Sequence, residues 1–440
     1  MSRTDRTERS QSRHTPRYSP SAGDLSLAIR LTSRQAFAVL AALTGVVLLV
    51  PDARAAESSS IQLRPKGRLL VDSVSQVASP AGAGEVRIDL VRVRQAFLGL
   101  DARISDRLLI KLEGGASNND AFVWDEVAVE YRVSPNVLFA AGNLKAAGLE
   151  NLTSTRTLSF LERGPYGDFV TDPFTSSIQV RVNTGAVVAT LAAQGDTFNN
   201  LGLDFDGAAT AGARDRRAVT ARLAGSLQMG DTSRLHLGGW VRSRDFGDQA
   251  LRGYAARPGT SAGRSGEWLG SGSFSRGDSS VALEFAWMSG PFWLQAEAAR
   301  LRAERSPRAA AGGDPVLVAG YVFAGWNLMG EGRGYDAQRG LVAVPRVRSP
   351  LSKGGLGSLD LLARYDFADL TDVRASASTD AGRLSARRAG DYRGMTLGAV
   401  WRPEPGFRFV LNLSEARVEP ATPQPDVRIR LLQLRAQYEF

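Results

Sequence analysis

Residues 427–440, VRIRLLQLRAQYEF, decide the fold class of this chain. From Leu432 to the final Phe440 every second residue is apolar or aromatic, while Arg435 and Gln437 fall on the opposite face. This alternation has the period of two that a β-strand with one apolar face requires. Because the segment ends on an aromatic residue with no tail, we expect it to be the terminal strand of a membrane β-barrel.

The same pattern recurs along the chain from residue 67 onward. Short alternating segments are separated by clusters of Gly, Asp, Asn, Ser and Pro, which are typical of turns. In one of them Phe407, Phe409 and Leu411 fall on one face, while Arg408 and Asn412 fall on the other. We predict sixteen strands, at residues 67–76, 92–105, 107–115, 122–133, 136–143, 176–183, 185–194, 216–228, 233–244, 279–288, 290–303, 315–329, 358–367, 391–403, 406–416 and 427–440.

The joins between these segments favour a membrane barrel over a soluble sandwich, which would also have one apolar face. Very short joins occur beside long ones, and over the second half of the chain the two kinds largely alternate. Tight turns at one end and long external loops at the other are typical of an up-and-down barrel. We therefore predict an all-β protein, a transmembrane antiparallel up-and-down β-barrel of 16 strands. The long joins, expected on the external side, are residues 195–215, 245–278, 330–357 and 368–390.

The N-terminus has the features of an export signal. Residues 36–50, AFAVLAALTGVVLLV, are uncharged and mostly apolar, and the small-residue site Ala53-Arg54-Ala55 follows them. This is the order of a cleavable signal peptide, and the run is shorter than the roughly 20 residues of a membrane-spanning helix. We predict three parts: a signal peptide with a long n-region at 1–55, a lead-in at 56–66, and the barrel at 67–440.

Composition argues against several classes of function. The chain has no cysteine and two histidines, His14 and His236, of which His14 lies in the predicted signal peptide. Disulfides, cysteine-ligated metals and thiol nucleophiles are therefore excluded, and one histidine does not suffice for most Ser-His-Asp hydrolase sites. The net charge is +9, but the basic residues are scattered, which argues against nucleic-acid binding. We predict a protein that is not an enzyme and has no cofactor.

Five motifs resemble one known family, the phosphate-selective porin O and P family of outer-membrane porins. Leu152–Arg163 resembles its "LTSSRYLTFMER", and Gly357–Asp366 resembles its "G-x-x-E-L-x-A-R-Y-S" strand. The other three are Ser352–Gly357 for "GKGGWG", Gly290–Phe292 with Leu294 and Gln295 for "GPFSLQGEY", and Gly398–Pro403 for "GLNWYPN". We expect the resemblance to extend over about residues 67–440.

The resemblance implies a sixteen-stranded barrel, commonly trimeric, in which residues 144–175 fold into the lumen as a constriction loop. It also implies anion transport along a basic pathway. The sequence departs from the family at Phe97 and Trp124, where basic residues are expected, and at Ala146 and Ala147, which replace "EP". Phosphate selectivity therefore stays open, and the pore could be a general or differently selective relative.

Basic residues in the lumen are the candidates for the anion pathway. A fixed cation at a narrow point favours anions, and the planar donors of arginine match carboxylate or phosphate. Lys145 is the main candidate because it follows a strand end and matches the family's lysine, although it could also be a solvated loop lysine. We expect Arg156, Glu162 and Arg163 to bind the constriction loop to the wall, and the strand arginines to pair with acids across the lumen. The candidates are Lys145, Lys111, Arg156, Arg163, Arg181, Arg222, Arg364 and Arg408.

These features predict an outer-membrane porin for passive diffusion of small hydrophilic solutes, with a preference for phosphate-like anions. Its expected partners are membrane lipid, small anions, two further copies in a homotrimer and the barrel-insertion machinery, which would recognise Phe440. A non-selective porin and a sealed structural or adhesive barrel are alternatives, and a hydrolase is disfavoured because His236 is the only histidine after the signal peptide. Aromatic residues expected to face lipid are Trp287, Phe292, Trp401, Phe407 and Tyr438.

Overall fold

The computed structural model describes residues 61–118, 121–200, 217–247, 251–262, 268–421 and 424–440. The predicted signal peptide and the first part of the lead-in lie outside these residues. The strands are β1 (Gln62–Pro80), β2 (Val86–Arg103), β3 (Leu108–Ser117), β4 (Ala121–Ser134), β5 (Val137–Leu144), β6 (Thr175–Asn183), β7 (Val187–Gln194), β8 (Arg217–Gln228), β9 (Ser233–Asp245), β10 (Arg252–Ala256), β11 (Leu269–Ser289), β12 (Phe292–Arg305), β13 (Val316–Met329), β14 (Tyr335–Asp336), β15 (Leu341–Val342), β16 (Ser358–Asp369), β17 (Gly390–Arg402), β18 (Phe407–Pro420) and β19 (Val427–Glu439).

Sixteen of these strands form a closed antiparallel barrel, namely β1–β9, β11–β13 and β16–β19. Each pairs with the next along the chain, and β19 pairs with β1 from Arg68↔Glu439 to Pro80↔Val427. The sixteen-stranded antiparallel barrel predicted from the sequence is confirmed. The lengths differ most at β11, which begins ten residues earlier than predicted because its Gly- and Ser-rich start pairs with β10.

The outward face of the barrel is apolar, as the alternation predicts. Leu98 and Leu283 are each 70% exposed on this face, which only a lipid environment would favour. The five aromatic residues predicted to face lipid all point outward and are between 36% and 51% exposed. They lie close to the short turns, where Trp326, Phe409 and Phe440 extend them into a girdle.

The join at 330–357 lies at the opposite end from the one expected. An up-and-down barrel changes ends at every join, so this connection from β13 to β16 lies with the short turns, and the next one, at 370–389, lies with the long loops. The expectation that 330–357 is an external loop is therefore wrong. Length alone suggested that side, whereas the parity of the strand count determines it.

Helical structure is sparse in the described part of the chain. It includes three short α-helices, Leu149–Leu152, Thr371–Ala375 and Asp380–Ser385, and a π-helical turn, Tyr166–Val170. None of the described helices is long and apolar enough to cross a membrane.

Candidate permeation pathway

Residues 145–174, which connect β5 to β6, lie inside the barrel, and we refer to them as the inserted segment. Inward side chains from strands on all sides of the lumen bind it. Arg408 of β18 donates to the carbonyl oxygens of Arg156 and Leu158, and Arg435 of β19 donates to that of Leu161 at 3.0 Å. On the other side of the barrel, Arg242 of β9 pairs with Asp172 at 2.9 Å, so the segment crosses the lumen.

Glu297 of β12 binds the start of the short helix in the inserted segment. Its two carboxylate oxygens each accept a hydrogen bond of 2.8 Å from a backbone N–H, one from Leu149 and one from Glu150. The hydroxyl of Tyr321 donates to the same carboxylate at 2.6 Å. Because the first N–H groups of a helix have no partner within it, a buried carboxylate at this position satisfies them.

The wall also binds the inserted segment through ion pairs. The guanidinium of Arg156 contacts Glu113 of β3, and Glu162 accepts from Arg92 at 3.2 Å and Arg94 at 3.1 Å, both on β2. Arg156 and Glu162 therefore bind the wall through ion pairs, which is the form of contact expected from the sequence. Arg163 differs, since it donates to carbonyl oxygens within the segment, including that of Thr153 at 2.6 Å.

Two cavities flank the inserted segment. The turn-side cavity has a volume of about 460 Å³ and reaches the β4–β5 turn at Pro135. The loop-side cavity has a volume of about 250 Å³ and is lined by residues 257, 260 and 261 of the β9–β11 join. Four residues line both cavities, and we call this group the eyelet: Asp125, Lys145, Thr155 and Phe174.

Lys145 is the cation of the eyelet. Its ammonium donates to the carbonyl oxygen of Asn151 at 3.0 Å and lies 4.5 Å from the centroid of the Phe174 ring. Burial lowers the pKa of this ammonium well below its ordinary value, and the nearby Arg163 lowers it further. A solute anion beside the ammonium would oppose both effects and favour the charged form.

The charges that line the two cavities are not balanced. Eleven basic and seven acidic side chains face them. All seven acids form ion pairs, for example Glu126 and Glu130 with Lys111, and Asp125 with Arg68 at 2.6 Å. Within the described ranges no acid pairs with five of the cations, which are Arg132, Lys145, Arg163, Arg181 and Arg339. The pathway therefore has an excess of positive charge.

The eight basic candidates from the sequence fall into two groups. Lys145, Lys111, Arg156, Arg163 and Arg181 line at least one cavity. The other three lie in the wall of the lumen outside both cavities: Arg222 pairs with Glu284 at 2.7 Å, Arg364 pairs with Glu150 and Asp366, and Arg408 binds carbonyl oxygens of the inserted segment.

Other cations of the pathway were not among those candidates. Arg68 faces inward from β1 and lies 4.5 Å from the ring of Phe97, its partner in the β1–β2 register. It therefore supplies a cation beside a position where the family resemblance led us to expect one. The alternation of β1 could have identified Arg68, but no periodic pattern could have identified Arg339, which lies in a join.

Arg339 reaches the pathway because part of the β13–β16 join, residues 333–343, folds into the lumen. We call it the turn-side segment. Arg222 donates to the carbonyl oxygens of Arg339 at 3.1 Å and Gly340 at 2.8 Å, and Asn183 donates to that of Ala337 at 2.5 Å. Arg339 in turn donates to the carbonyl oxygen of Leu152 in the inserted segment at 3.3 Å.

His236, the histidine that the hydrolase alternative would require, belongs to the same anchoring network. Its Nδ1 lies 2.7 Å from the hydroxyl of Tyr335 in the turn-side segment, and its Nε2 lies 3.3 Å from Glu284. The ring is fully buried in the wall of the lumen. It lines neither of the two cavities that meet at the eyelet.

Comparisons with known proteins agree with this architecture. Over 392 residues the chain is 26% identical to an uncharacterized protein of Caulobacter vibrioides, covering 87% of this chain and 75% of that protein. The fold of this chain is similar to that of the outer membrane channel DcaP of Acinetobacter baumannii, with a TM-score of 0.51 and 12% identity. The match covers 88% of this chain and 99% of that one. The fold is also similar to that of an anion-selective porin from Comamonas acidovorans, with a TM-score of 0.50, 13% identity, and coverage of 86% and 100%.

The family comparison is the most specific of these results. The family model of phosphate-selective porin O and P matches residues 74–440, which include all of the barrel except the start of β1. The barrel, the apolar outward face and the two cavities that meet inside the lumen are consistent with a channel of the bacterial outer membrane. The chain therefore belongs to the phosphate-selective porin O and P family and is an outer-membrane porin.

Proposed function

We propose that this porin admits small hydrophilic solutes through the eyelet and prefers anions, of which phosphate-like anions are the class that the family suggests. The observation that carries the proposal is the charge imbalance of the pathway, in which every acid is ion-paired while five cations have no acid partner among the described residues. A solute at the eyelet loses part of its hydration shell. The surrounding protein has a low dielectric constant, so uncompensated cations stabilise an anion there more strongly than in bulk water.

The path itself supports passive diffusion. The two cavities lie on opposite sides of the inserted segment and share the eyelet residues, which supports a continuous path for passive diffusion through the lumen. We propose that the inserted segment is the constriction of this path, and that the protein is not an enzyme. Signal cleavage after Ala55, assembly as a homotrimer and recognition of Phe440 by the insertion machinery complete the proposal.

A non-selective porin is the second candidate. It is favoured by the ion pairs that neutralise much of the lumen wall, such as Arg222 with Glu284 and Arg435 with Asp72. In that case the few unpaired cations would be too well hydrated to distinguish anions from cations.

Ion selectivity in a planar bilayer distinguishes the two candidates. In a gradient of potassium chloride the zero-current potential of the wild type should indicate anion preference. Lys145→Glu should lower the ratio of anion to cation permeability at least about fivefold, because one unit charge at 4 Å contributes about 1 kcal/mol even in water. Lys353→Glu is the matched control, since Lys353 is exposed in the β13–β16 join and lies outside the pathway. Cation preference in the wild type, or equal effects of the two substitutions, would contradict the proposal.

A further inference from the structure

We propose that Phe174 is a positioning residue that determines the anion preference of the eyelet, because its ring holds the ammonium of Lys145 in place without neutralising it. The inference rests on the proposed function, since it assigns a second residue to the same site. The main observation behind it is the cation–π contact between the two residues, in which the Lys145 ammonium lies 4.5 Å from the centroid of the Phe174 ring.

The strand register brings the two residues together. Leu144, the last residue of β5, pairs with Thr175, the first residue of β6. Lys145 and Phe174 are the next residue on each side, so they are the first and last residues of the inserted segment. The hydroxyl of Thr175 donates to the carbonyl oxygen of Leu144 at 3.2 Å, which fixes this base of the segment.

A second contact completes the support of the ammonium. Lys145 donates to the carbonyl oxygen of Asn151, and the side-chain amide of Asn151 donates to the carbonyl oxygens of Ala147 at 3.0 Å and Asp172 at 2.8 Å. Asn151 thus links Ala147, near the start of the inserted segment, to Asp172, near its end. These bonds fix the position of the Asn151 carbonyl oxygen, which accepts the hydrogen bond from Lys145. The ammonium lies between a ring and a carbonyl, and neither carries a negative charge.

The chemistry of the ring explains why an aromatic residue suits this position. A carboxylate beside Lys145 would orient it equally well but would cancel its charge, whereas the face of a ring attracts a cation through its quadrupole and leaves the net charge unchanged. An aliphatic side chain would also leave the positive charge of Lys145 unchanged, but it would not attract the ammonium. Because Phe174 lines both cavities, a lysine held against it remains within reach of a solute that passes from one to the other.

The test compares four variants of the full-length porin in planar bilayers: Phe174→Leu, Phe174→Trp, Lys145→Gln, and Phe174→Leu combined with Lys145→Gln. The measurements are the zero-current potential in a salt gradient and the concentration of inorganic phosphate that halves the chloride current. We expect Phe174→Leu to raise that phosphate concentration roughly fivefold, the factor that corresponds to a typical exposed cation–π contact. Phe174→Trp should retain wild-type values, because indole binds cations at least as well as phenyl.

The double variant separates positioning from pore size. If Phe174 acts through Lys145, the double variant should match Lys145→Gln alone. Additive effects, or equal changes in Phe174→Leu and Phe174→Trp, would overturn the inference and leave the role of Lys145 intact. If Lys145→Gln changes neither measurement, the proposed function of Lys145 fails, and the inference fails with it. Resistance of each folded variant to SDS at low temperature confirms that the barrel has formed.

Discussion

At the scale of single residues, the difference between paired and unpaired charges decides what each side chain can do. Most lumen arginines bind acids or backbone carbonyls and hold the inserted segment, as Arg364 and Arg408 do. The sequence alternation predicted correctly that both face the lumen. It could not show which cations have an acid partner, because that partner can lie far away along the chain, as Asp72 does at 363 positions from Arg435.

The lowered pKa of Lys145 leads to a pH dependence of selectivity. Because burial favours the neutral form, the ammonium should lose its proton as the pH rises, before a free lysine of pKa about 10.4 would do so. The anion preference of the wild type should therefore fall already in the pH range below the ordinary pKa of lysine. The measurement is the zero-current potential across that range, with Lys145→Arg as the control, since arginine stays charged throughout. An equal fall in the Lys145→Arg variant would assign the effect to other groups.

At the scale of elements, the periodic parts of the chain were predictable and the irregular parts were not. All sixteen barrel strands were predicted, because each must alternate between an apolar outward face and a polar inward face. By contrast, β10 and the start of β11 are rich in Gly and Ser, and their pairing depends on contacts between distant parts of the chain. The turn-side segment was missed for the same reason: it is held by Arg222 and Asn183 of the wall, not by any local pattern.

Excision of residues 335–342 tests the role of the turn-side segment. The N–H of Ala343 donates to the carbonyl oxygen of Gly334 at 2.9 Å, so a two-glycine link can join these neighbours without moving the strands. We expect a larger single-channel conductance, because Arg339 and its backbone leave the turn-side cavity. Tyr335→Phe, which removes only the hydroxyl bound to His236, should retain the wild-type conductance. An unchanged conductance after excision would show that this segment does not limit the flow.

At the scale of the whole molecule, closing the sheet makes a pore possible. The pairing of β19 with β1 leaves no free edge in the barrel, so the inward side chains enclose a lumen. The barrel, its number of strands and its outward aromatic girdle were predictable from the alternation of apolar and polar residues. The path through the lumen could not be predicted in this way, because it depends on the positions of the inserted segment and the turn-side segment inside the barrel.

The central claim is that solutes pass the eyelet and that its excess positive charge favours anions. Because the chain has no cysteine, Thr155→Cys introduces a single thiol into the eyelet and leaves Lys145 in place. The most direct test is the rate at which thiosulfonate reagents of equal size and opposite charge change the current of this variant in a planar bilayer. We predict that reagent added to either side modifies the thiol, and that the anionic reagent reacts faster. A thiol that reacts from neither side, or faster with the cationic reagent, would contradict the account.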